Sequence, residues 1–363
     1  MEYVQEGVAT CHDYGDASPS APVEQATVVV PLAERDHESQ AAVDVFRHLE
    51  QVNPGAVLVA LRASESGVGT VVDWLESYDL TLRVLWCTAP AVTERLDDFG
   101  LNGEAGKGRD VWLALGVASQ SEYVVVHDAD ATTYDETHVP RLLFPLAQGD
   151  DFSKGYYARV ENGQLYGRLF RLFYAPLIDA LAEGRDQPFL RYLDAFRYAL
   201  AGEFAMTAEL AQSVRVPRGW GLEVGTLGDA FAHAGFEGTT QVDLGVHEHE
   251  HRSVRGSGGL GEMCREVGET LFRVLEEHGV DPAYPELVER YETEARRLID
   301  QYEADAEFNG FDYDAAAERE QIERYADAIV APSEDTRLPA WNNIELDPTE
   351  IADRSAEDID FHR

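Results

Sequence analysis

The sequence predicts an α/β protein with a mostly parallel central sheet, helices on both faces of that sheet, and a helical C-terminal annex. Short runs rich in valine and leucine alternate with helical stretches across residues 26–130. Strands that are buried on both faces of a parallel sheet have this continuous apolar character. Hydrophobic residues make up 44% of the 363 residues, which is enough for one large core. Residues 261–330 instead have a helical and strongly acidic pattern.

The first half of the chain contains four predicted strands with helices between them. The strands are 26–32, 56–61, 82–87 and 122–130, and the helices lie near 38–52, 69–78 and 107–119. Ligands of parallel sheets bind at the carboxyl ends of the strands. Asp128 and Asp130 lie at the end of the fourth strand, so the sequence predicts a site there.

The second half has fewer predicted elements. Its strands are 151–160 and 239–251, and its helices are 165–182 and 222–234. The last strand runs into His247-Glu248-His249-Glu250-His251. If this segment is extended, its three histidines share one face and form a zinc-type site. The alternative is a polar surface loop.

The charge of the chain restricts its partners. It has 68 acidic and 29 basic residues, which gives a formal net charge of −39. Such a surface repels nucleic acid and anionic lipid, so neither is an expected partner. The composition resembles that of cytoplasmic proteins from extreme halophiles, in which molar salt screens self-repulsion. No leader of charged and then apolar residues opens the chain, and three scattered cysteines suit a reducing cytoplasm.

Lysine is nearly absent from this sequence. Only Lys107 and Lys154 occur, against 27 arginines, and the two lysines flank the acidic motif at 128–130. Chance survival of two lysines is the simpler explanation. The alternative is that both ammonium groups take part in the chemistry of a site.

The motif Asp128-Ala129-Asp130 is the strongest candidate for a site. Residues two apart on an extended chain point to the same side, so both carboxylates are expected to face one pocket. Hard divalent cations prefer oxygen ligands and often bind one or two carboxylates together with substrate phosphates. An acidic turn is the structural alternative, but the position after a buried strand favours a site for a metal and a diphosphate.

Other segments offer weaker signals. The turn after the first strand, 28–36, lacks the glycine-rich pattern of dinucleotide-binding proteins, although Glu34 and backbone groups there can contact a base and ribose. Glu203 and Glu223 lie in apolar segments flanked by glycine and are candidates to bind sugar hydroxyls. The start of a helix explains Glu223 equally well.

Seven segments in this order resemble the glucosyl-3-phosphoglycerate synthase family of retaining GT-A glycosyltransferases. They span residues 26–265 and read VVVPLAE, GKG, VVVHDAD, SKGYYAR, LAGEFA, GWGLEVGTLGD and DLGVHEHEHR. The resemblance implies the GT-A nucleotide-diphospho-sugar transferase fold. It also implies transfer of a hexose, with retention, from a nucleoside diphosphate sugar to a small hydroxylated acceptor, with Mg²⁺ or Mn²⁺ as cofactor and 3-phosphoglycerate as the candidate acceptor.

The resemblance also implies a role for individual residues. Asp130 and Glu223 are the expected catalytic residues, and Asp130 and His249 are the expected metal ligands. The residues expected to bind the nucleotide sugar are Pro31, Leu32, Glu34, Ser64, Lys107, Asp128, Gly202 and Glu203. The residues expected to bind the acceptor are Gly163, Gln164, Tyr166, Arg168 and Arg252.

Two segments depart from the family pattern. The family usually has a sequence like Asp-Ser-x-Ser-Thr-Asp where this chain has 62–66, RASES, and a UDP-sugar is expected over a GDP-sugar. The acceptor-phosphate loop usually resembles Gly-Gly-Arg-Val-Thr, whereas residues 162–166 are NGQLY. Because phosphate binding favours a forked guanidinium, Arg168, Arg171 or Arg252 is expected to replace the missing arginine.

These observations divide the chain into four expected regions. Residues 1–24 are a flexible segment, and 25–260 form the catalytic domain, with a nucleotide-binding half at 25–130 and an acceptor half at 131–260. Residues 261–330 form the acidic helical annex, which packs on the domain or forms a homodimer contact, and 331–363 are a loosely held tail. Two other functions stay open: a nucleotidylyltransferase and a non-catalytic protein that binds nucleotide sugars.

Overall fold

The computed structural model describes residues 5–248 and 259–363 of the chain. Its largest feature is an eight-stranded sheet, and a two-stranded hairpin lies beside it. The strands are β1 Ala9–Cys11, β2 Ala26–Ala33, β3 Ala56–Arg62, β4 Leu82–Trp86, β5 Tyr123–Val126, β6 Phe152–Ala158, β7 Val160–Glu161, β8 Gln164–Leu165, β9 Phe204–Thr207 and β10 Thr239–Val246.

The large sheet has the order β1-β10-β6-β9-β5-β2-β3-β4. All neighbouring strands are parallel except β9, which runs antiparallel to β5 and to β6. From β2 the chain first adds β3 and β4 on one side and then returns to place β5 on the other. Such a reversal of strand order opens a crevice at the carboxyl ends of the strands. The crevice here lies between the ends of β2 and β5.

Helices surround this sheet and form the C-terminal region. They are α1 Gln40–Val52, α2 Val68–Leu75, α3 Pro90–Asp98, α4 Lys107–Ala118, α5 His138–Ala147, α6 Ala175–Ala182, α7 Pro188–Asp194, α8 Ala208–Ser213, α9 Leu222–His233, α10 Gly259–Glu277, α11 Tyr284–Asn309, α12 Ala315–Ala326 and α13 Pro348–His362. Across the described ranges, none of the helices is long and apolar enough to cross a membrane.

The sequence explains why β2 can contain a proline. Pro31 lacks an N–H group and is tolerated only where no ladder bond is needed on that side. On one side of β2, β5 pairs with Ala26 to Val29 only, whereas on the other side β3 pairs with Thr27 to Ala33. The last four residues of β2 therefore have an open edge, and this edge borders the crevice.

The expectation of flexible ends is wrong for two segments. Residues 9–11 form β1 and pair with β10 at the edge of the sheet. Near the other end, the Trp341 ring stacks on Trp112 of α4 at a centroid distance of 4.4 Å. Helix α13 packs against α3, α4 and β4, and it buries Ile351 and Ile359. Both ends of the described chain are therefore part of the folded core.

The predicted helix at 165–182 begins later than expected. Gln164–Leu165 form the second strand of the hairpin, and a π-helical turn over Phe170–Tyr174 leads into α6. Helix α11 packs on α6, and α12 packs on both the π-helical turn and α11. The C-terminal helices therefore contact the segment predicted to bind the acceptor.

Candidate active site

The side chain of Lys107 lies at the centre of the crevice. Its Nζ is 2.6 Å from Oδ1 and 2.8 Å from Oδ2 of Asp128, and 3.9 Å from Oε1 of Glu223. Burial alone lowers the pKa of a lysine, but the carboxylates of Asp128 and Glu223 outweigh it and raise the pKa of Lys107 above its usual value. A permanent positive charge therefore lies at the carboxyl end of β5, where a diphosphate can accept hydrogen bonds from it.

Lys107 is held there by the close approach of α4 to another segment. The carbonyl oxygens of Pro217 and Arg218 lie 1.8 Å and 2.4 Å from where a Cβ would be at Gly108 and Gly106. No side chain fits at either position, which explains the two glycines that flank Lys107. The N–H of Arg109 also donates to the carbonyl of Arg218 at 3.1 Å.

Asp130 is exposed and follows Asp128 in a turn. The chain turns at residues 129 and 130, so the extended conformation that the sequence predicted for this segment is wrong. The negative charge of Asp130 still acts on Lys107 and helps to raise its pKa, so the two groups are near each other. A carboxylate at this edge suits a hard divalent cation, which fits Mg²⁺ or Mn²⁺.

His249, the second expected metal ligand, lies outside the described residues. Among the described residues, no group of three or more histidine, cysteine or acidic side chains is placed to hold a metal.

The loops after β2 and β3, which were predicted to bind the nucleoside, border one end of the crevice. Oε2 of Glu34 accepts a hydrogen bond from the N–H of Ser64 at 2.7 Å, and this bond lowers the pKa of Glu34. The Glu34 carboxylate also lies against Gly67, where a Cβ would be 1.9 Å from Oε1. Glu34 thus joins the two loops, a role that the sequence did not predict. Leu32 is buried, whereas Pro31 is partly exposed, so the backbone of β2 is better placed than the Leu32 side chain to contact a nucleoside.

Arg62 occupies the first position of the segment that departs from the family pattern. Its Nε and Nη2 donate to Oδ2 of the buried Asp110 at 2.8 Å and 2.6 Å. Asp110 belongs to the first turn of α4, three residues after Lys107. Arg62 therefore connects the end of β3 to α4, the helix that carries Lys107.

Lys154 lies beneath the crevice and is 1% exposed. Its Nζ donates to the carbonyl oxygen of Ala201. Burial lowers the pKa of Lys154 to about 8, against the opposing effect of the Glu223 and Glu203 carboxylates. Lys107 and Lys154 thus lie at one site, as the sequence suggested. Lys154, however, is buried beneath the crevice, where it stabilises the loop before β9.

Gly202 and Glu203 follow Ala201 in that loop. A Cβ at Gly202 would lie 2.7 Å from Oδ2 of Asp128, so this glycine lets the loop contact the Asp128 carboxylate. Glu203 is only 1% exposed, and burial together with the nearby Glu203 carboxylate raises the pKa of Tyr157. The expected contact between the Glu203 side chain and a donor sugar is wrong for this structure, because the carboxylate contacts protein beneath the crevice.

The first histidine of the 247–251 cluster is also buried. The His247 ring stacks on Tyr157 at a centroid distance of 4.0 Å, and its Nε2 is 4.0 Å from Oε1 of Glu203. His247 therefore does not belong to a polar surface loop. It supports Glu203 and Tyr157 at the end of β10.

The acceptor residues lie around the β7–β8 hairpin. Gly163 and Gln164 are exposed at the hairpin turn, and the N–H of Tyr166 donates to the carbonyl of Arg159 at 2.9 Å. Arg168 follows with half of its side chain exposed. Arg252 lies outside the described residues. Arg171, which the sequence offered as a substitute phosphate ligand, is wrong for that role because it is buried against Glu318 at 2.7 Å.

Sequence reasoning missed Arg159. Its side chain forms a hydrogen bond with Tyr198 and borders Gly167, next to Arg168. Two arginine side chains thus lie beside Gly167. The signal in the sequence was the end of the SKGYYAR strand, which was matched as a segment without a role for its arginine.

Comparison with known proteins identifies the relatives of this chain. No protein-family model matches it. The glucosyl-3-phosphoglycerate synthase of Methanococcoides burtonii is 32% identical over 379 residues, which cover 94% of this chain and 93% of that protein. The glucosyl-3-phosphoglycerate synthase of Persephonella marina is 34% identical over 355 residues, covering 90% of this chain and 88% of that protein.

A solved structure resembles the fold. The Mycobacterium tuberculosis glucosyl-3-phosphoglycerate synthase in complex with Mn²⁺, UDP-glucose and phosphoglyceric acid superposes with a TM-score of 0.57. It is 24% identical and covers 76% of this chain and 88% of its own. The predicted GT-A fold is confirmed by this likeness. The prediction of a glycosyltransferase is confirmed by the curated relatives. With full-length relatives above 30% identity, the chain belongs to the glucosyl-3-phosphoglycerate synthase family.

Proposed function

We propose that this chain transfers a glucosyl unit, with retention, from UDP-glucose to the hydroxyl group of 3-phosphoglycerate. The observation that carries the proposal is the Lys107–Asp128 ion pair beside Glu223, in the crevice at the carboxyl ends of β2 and β5. The family relationship supports the reaction class. The Mycobacterium tuberculosis relative with bound UDP-glucose and phosphoglyceric acid supports the choice of both substrates.

On the donor side, the residues of the chain supply charge and position the nucleoside and the diphosphate of UDP-glucose. Pro31, Glu34 and Ser64 border the nucleoside, and Lys107 and Asp128 lie next to the diphosphate and ribose. Asp130 and His249 would hold Mg²⁺ or Mn²⁺, both of which occur in solved relatives. Such an ion neutralises the charge that develops on a departing diphosphate. Lys107 adds a fixed positive charge at the same place, which is the kind of preorganised electrostatic stabilisation that contributes most to such reactions.

The proposed step is a displacement on one face of the sugar. The bond from the anomeric carbon to the β-phosphate oxygen breaks as the acceptor oxygen forms the new glycosidic bond, through an oxocarbenium-like state. The acceptor hydroxyl proton passes to the departing phosphate oxygen. Glu223 is partly exposed and near Lys107, and it is proposed to bind a hydroxyl of the sugar or the acceptor.

On the acceptor side, 3-phosphoglycerate carries a phosphate and a carboxylate. Arg168 and Arg159 flank Gly167, and forked guanidinium groups suit both anions. Gly163, Gln164 and Tyr166 border the same side, and Arg252 is proposed to complete it. This arrangement replaces the arginine that is missing from residues 162–166.

Several further properties are proposed from the charge and composition of the chain. We propose that the enzyme acts in the cytoplasm of a halophile, that its product serves as a compatible solute, and that it binds neither nucleic acid nor membranes. A homodimer, the catalytic domain at 25–260 and the helical annex at 261–330 remain part of the same proposal.

The experiment that tests the function is product analysis. The purified protein is incubated at high salt with Mn²⁺, UDP-glucose and 3-phosphoglycerate, and the product is identified by NMR. We expect release of UDP and an α-linked glucosyl product, because UDP-glucose has an α-linkage. GDP-glucose and glycerol 3-phosphate serve as comparison substrates. A β-linked product or no turnover of any donor would contradict the proposal, as would release of pyrophosphate when glucose 1-phosphate and UTP are supplied instead.

A further inference from the structure

The C-terminal helices meet the acceptor side of the site directly. The backbone N–H of Asp312, in the turn between α11 and α12, donates to the carbonyl of Gly163 at 2.9 Å. Asp312 also forms an isolated β-bridge with Gln164. These bonds join the turn of the β7–β8 hairpin to a part of the chain that is almost 150 residues distant in sequence.

A buried carboxylate of α12 forms the second connection. Glu318 is 4% exposed, and its oxygens accept hydrogen bonds from Nη2 and Nη1 of Arg171 at 2.7 Å and 3.1 Å. The Tyr313 hydroxyl also donates to Glu318, and the Arg171 guanidinium lies over the Tyr302 ring at 4.7 Å. A buried carboxylate needs such partners, because an unpaired charge in this environment is strongly unfavourable.

Arg171 links Glu318 to the backbone that precedes Arg168. Its Nε donates to the carbonyl of Tyr166 at 2.9 Å, and its Nη2 donates to the carbonyl of Leu165 at 3.3 Å. One guanidinium group therefore joins Glu318 to two successive carbonyl groups that directly precede Gly167. This bonding fixes the direction in which the chain enters residues 167 and 168.

The next residues depend on that direction. Gly167 has φ of +75°, a left-handed conformation that suits glycine. Arg168 follows it, and its Nε is 3.9 Å from Oε1 of Glu318 while half of its side chain stays exposed. Glu318 therefore lies near both arginines, and it is close enough to bias the direction of the Arg168 side chain.

We propose that Glu318 is a positioning residue for the acceptor. Through Arg171 it holds residues 165–168 in place, and so it orients Arg168 toward the anionic groups of the acceptor. This assigns a function in acceptor binding to the C-terminal helices, whose sequence shows no chemistry of its own. The inference rests on the proposed function, because it assumes that Arg168 contacts the acceptor.

The test is a steady-state comparison of Glu318→Gln with a matched control. The control is Asp229→Asn, which also changes a buried carboxylate to an amide; Asp229 is 2% exposed and pairs with Arg215 at 2.5 Å. Both variants are assayed with UDP-glucose, Mn²⁺ and 3-phosphoglycerate. We expect Glu318→Gln to raise the KM for 3-phosphoglycerate about tenfold or more and to leave the KM for UDP-glucose within about twofold. Asp229→Asn should leave both KM values within about twofold of the wild type.

Two results would overturn the inference. One is an unchanged KM for 3-phosphoglycerate in Glu318→Gln. The other is an equal rise in both KM values, which would indicate general loosening of the fold. If Glu318→Gln does not fold, Tyr313→Phe removes one hydrogen bond to Glu318 and should raise the acceptor KM about threefold; no change in this variant would overturn the inference equally. Absence of turnover in the wild type would contradict the proposed function instead, so the two failures are distinguishable.

Discussion

Lys107 shows how a single residue joins composition, structure and chemistry. In a chain with 27 arginines, a lysine at this position provides a compact charge in place of a planar fork. Glycines on both sides let α4 approach the backbone of Pro217 and Arg218, and this approach places the ammonium group on Asp128. The charge is therefore fixed before a diphosphate binds.

Replacement of Lys107 by methionine should lower kcat/KM about 10²–10³-fold, because a preorganised donor to the leaving diphosphate is lost. Initial rates with UDP-glucose and 3-phosphoglycerate measure this effect. Arg83→Met, at an exposed position of the edge strand β4, is a control that should retain wild-type rates. A Lys107→Met enzyme with more than about half of the wild-type kcat/KM would contradict the role of Lys107.

His127 makes the stability of the enzyme sensitive to acid. Burial, together with His138, lowers the pKa of His127 to about 3. Between that value and the ordinary pKa of about 6.5, the unfolded chain binds a proton that the folded chain does not, so stability rises with pH across this window. Above about pH 6.5, His127 does not lower the free energy of unfolding. Below that pH, the free energy of unfolding falls by up to roughly 1.4 kcal/mol for each pH unit of acidification.

Urea unfolding at pH 7 and pH 5 tests this behaviour. The wild type should lose more stability between these values than His127→Gln, which keeps an acceptor for the Tyr134 hydroxyl that now bonds to Nε2 at 3.0 Å. Equal losses in both proteins would show that His127 does not cause the acid sensitivity.

The residues of the site were only partly predictable. Lys107, Asp128 and Glu223 could be found because strand ends and glycine-flanked motifs indicate where a chain reaches a pocket. The burial of Lys154, Glu203 and His247 could not be found, because charged residues normally predict exposure. Only the fold brings the Ala201 carbonyl to Lys154 and the Tyr157 ring to His247.

At the scale of elements, the loop before β9 depends on one glycine. A Cβ at Gly202 would lie 2.7 Å from Oδ2 of Asp128 and 3.6 Å from Nζ of Lys107. Both atoms are the ends of side chains, so they can move without unfolding the protein. The ion pair that faces the diphosphate would be displaced.

Gly202→Ala should therefore reduce kcat/KM about 10²-fold, whereas its melting temperature should fall by only a few degrees, about 2–4 °C per kcal/mol for larger domains. Gly261→Ala is the matched control, since nothing lies within 4 Å of its added Cβ. Alanine in that helix should keep full activity and a similar or higher melting temperature. Full activity of Gly202→Ala would contradict the proposed contact.

The central strands of the sheet were predictable from sequence, but the edge strand β1 and the helix α13 were not. Strands β2 to β5 have continuous apolar runs, which identify them locally. Strand β1 has three residues and exists only through its pairing with β10, a contact across more than two hundred residues. In α13, the buried residues Ile351, Ser355 and Ile359 lie among exposed acidic residues. The apolar side of this helix is so narrow that its sequence pattern does not differ from that of a polar tail.

At the scale of the whole molecule, net charge dominates the response to solvent. A formal charge of −39 disfavours a compact state in dilute buffer through self-repulsion. The Debye length falls from about 10 Å at 0.1 M salt to about 3 Å at 1 M, so salt removes most of this repulsion.

The melting temperature should therefore rise by about 10 °C or more between 0.1 M and 2 M KCl, as expected if screening adds several kcal/mol to a chain of this size. Differential scanning fluorimetry measures it. Sucrose at matched osmolality is the control, because it acts by exclusion from the surface without screening charge. A flat or falling melting temperature in KCl would show that self-repulsion does not limit stability.

Asp128-Ala129-Asp130 and Lys107 are together proposed to hold a metal-bound nucleoside diphosphate. Calorimetric titration of UDP in the presence and absence of Mn²⁺, with wild type and Asp130→Asn, tests it most directly. The wild type should bind UDP at least about 100-fold more tightly with Mn²⁺, and Asp130→Asn should lose most of that gain. Tight, Mn²⁺-dependent binding of UDP that persists in Asp130→Asn would contradict the claim.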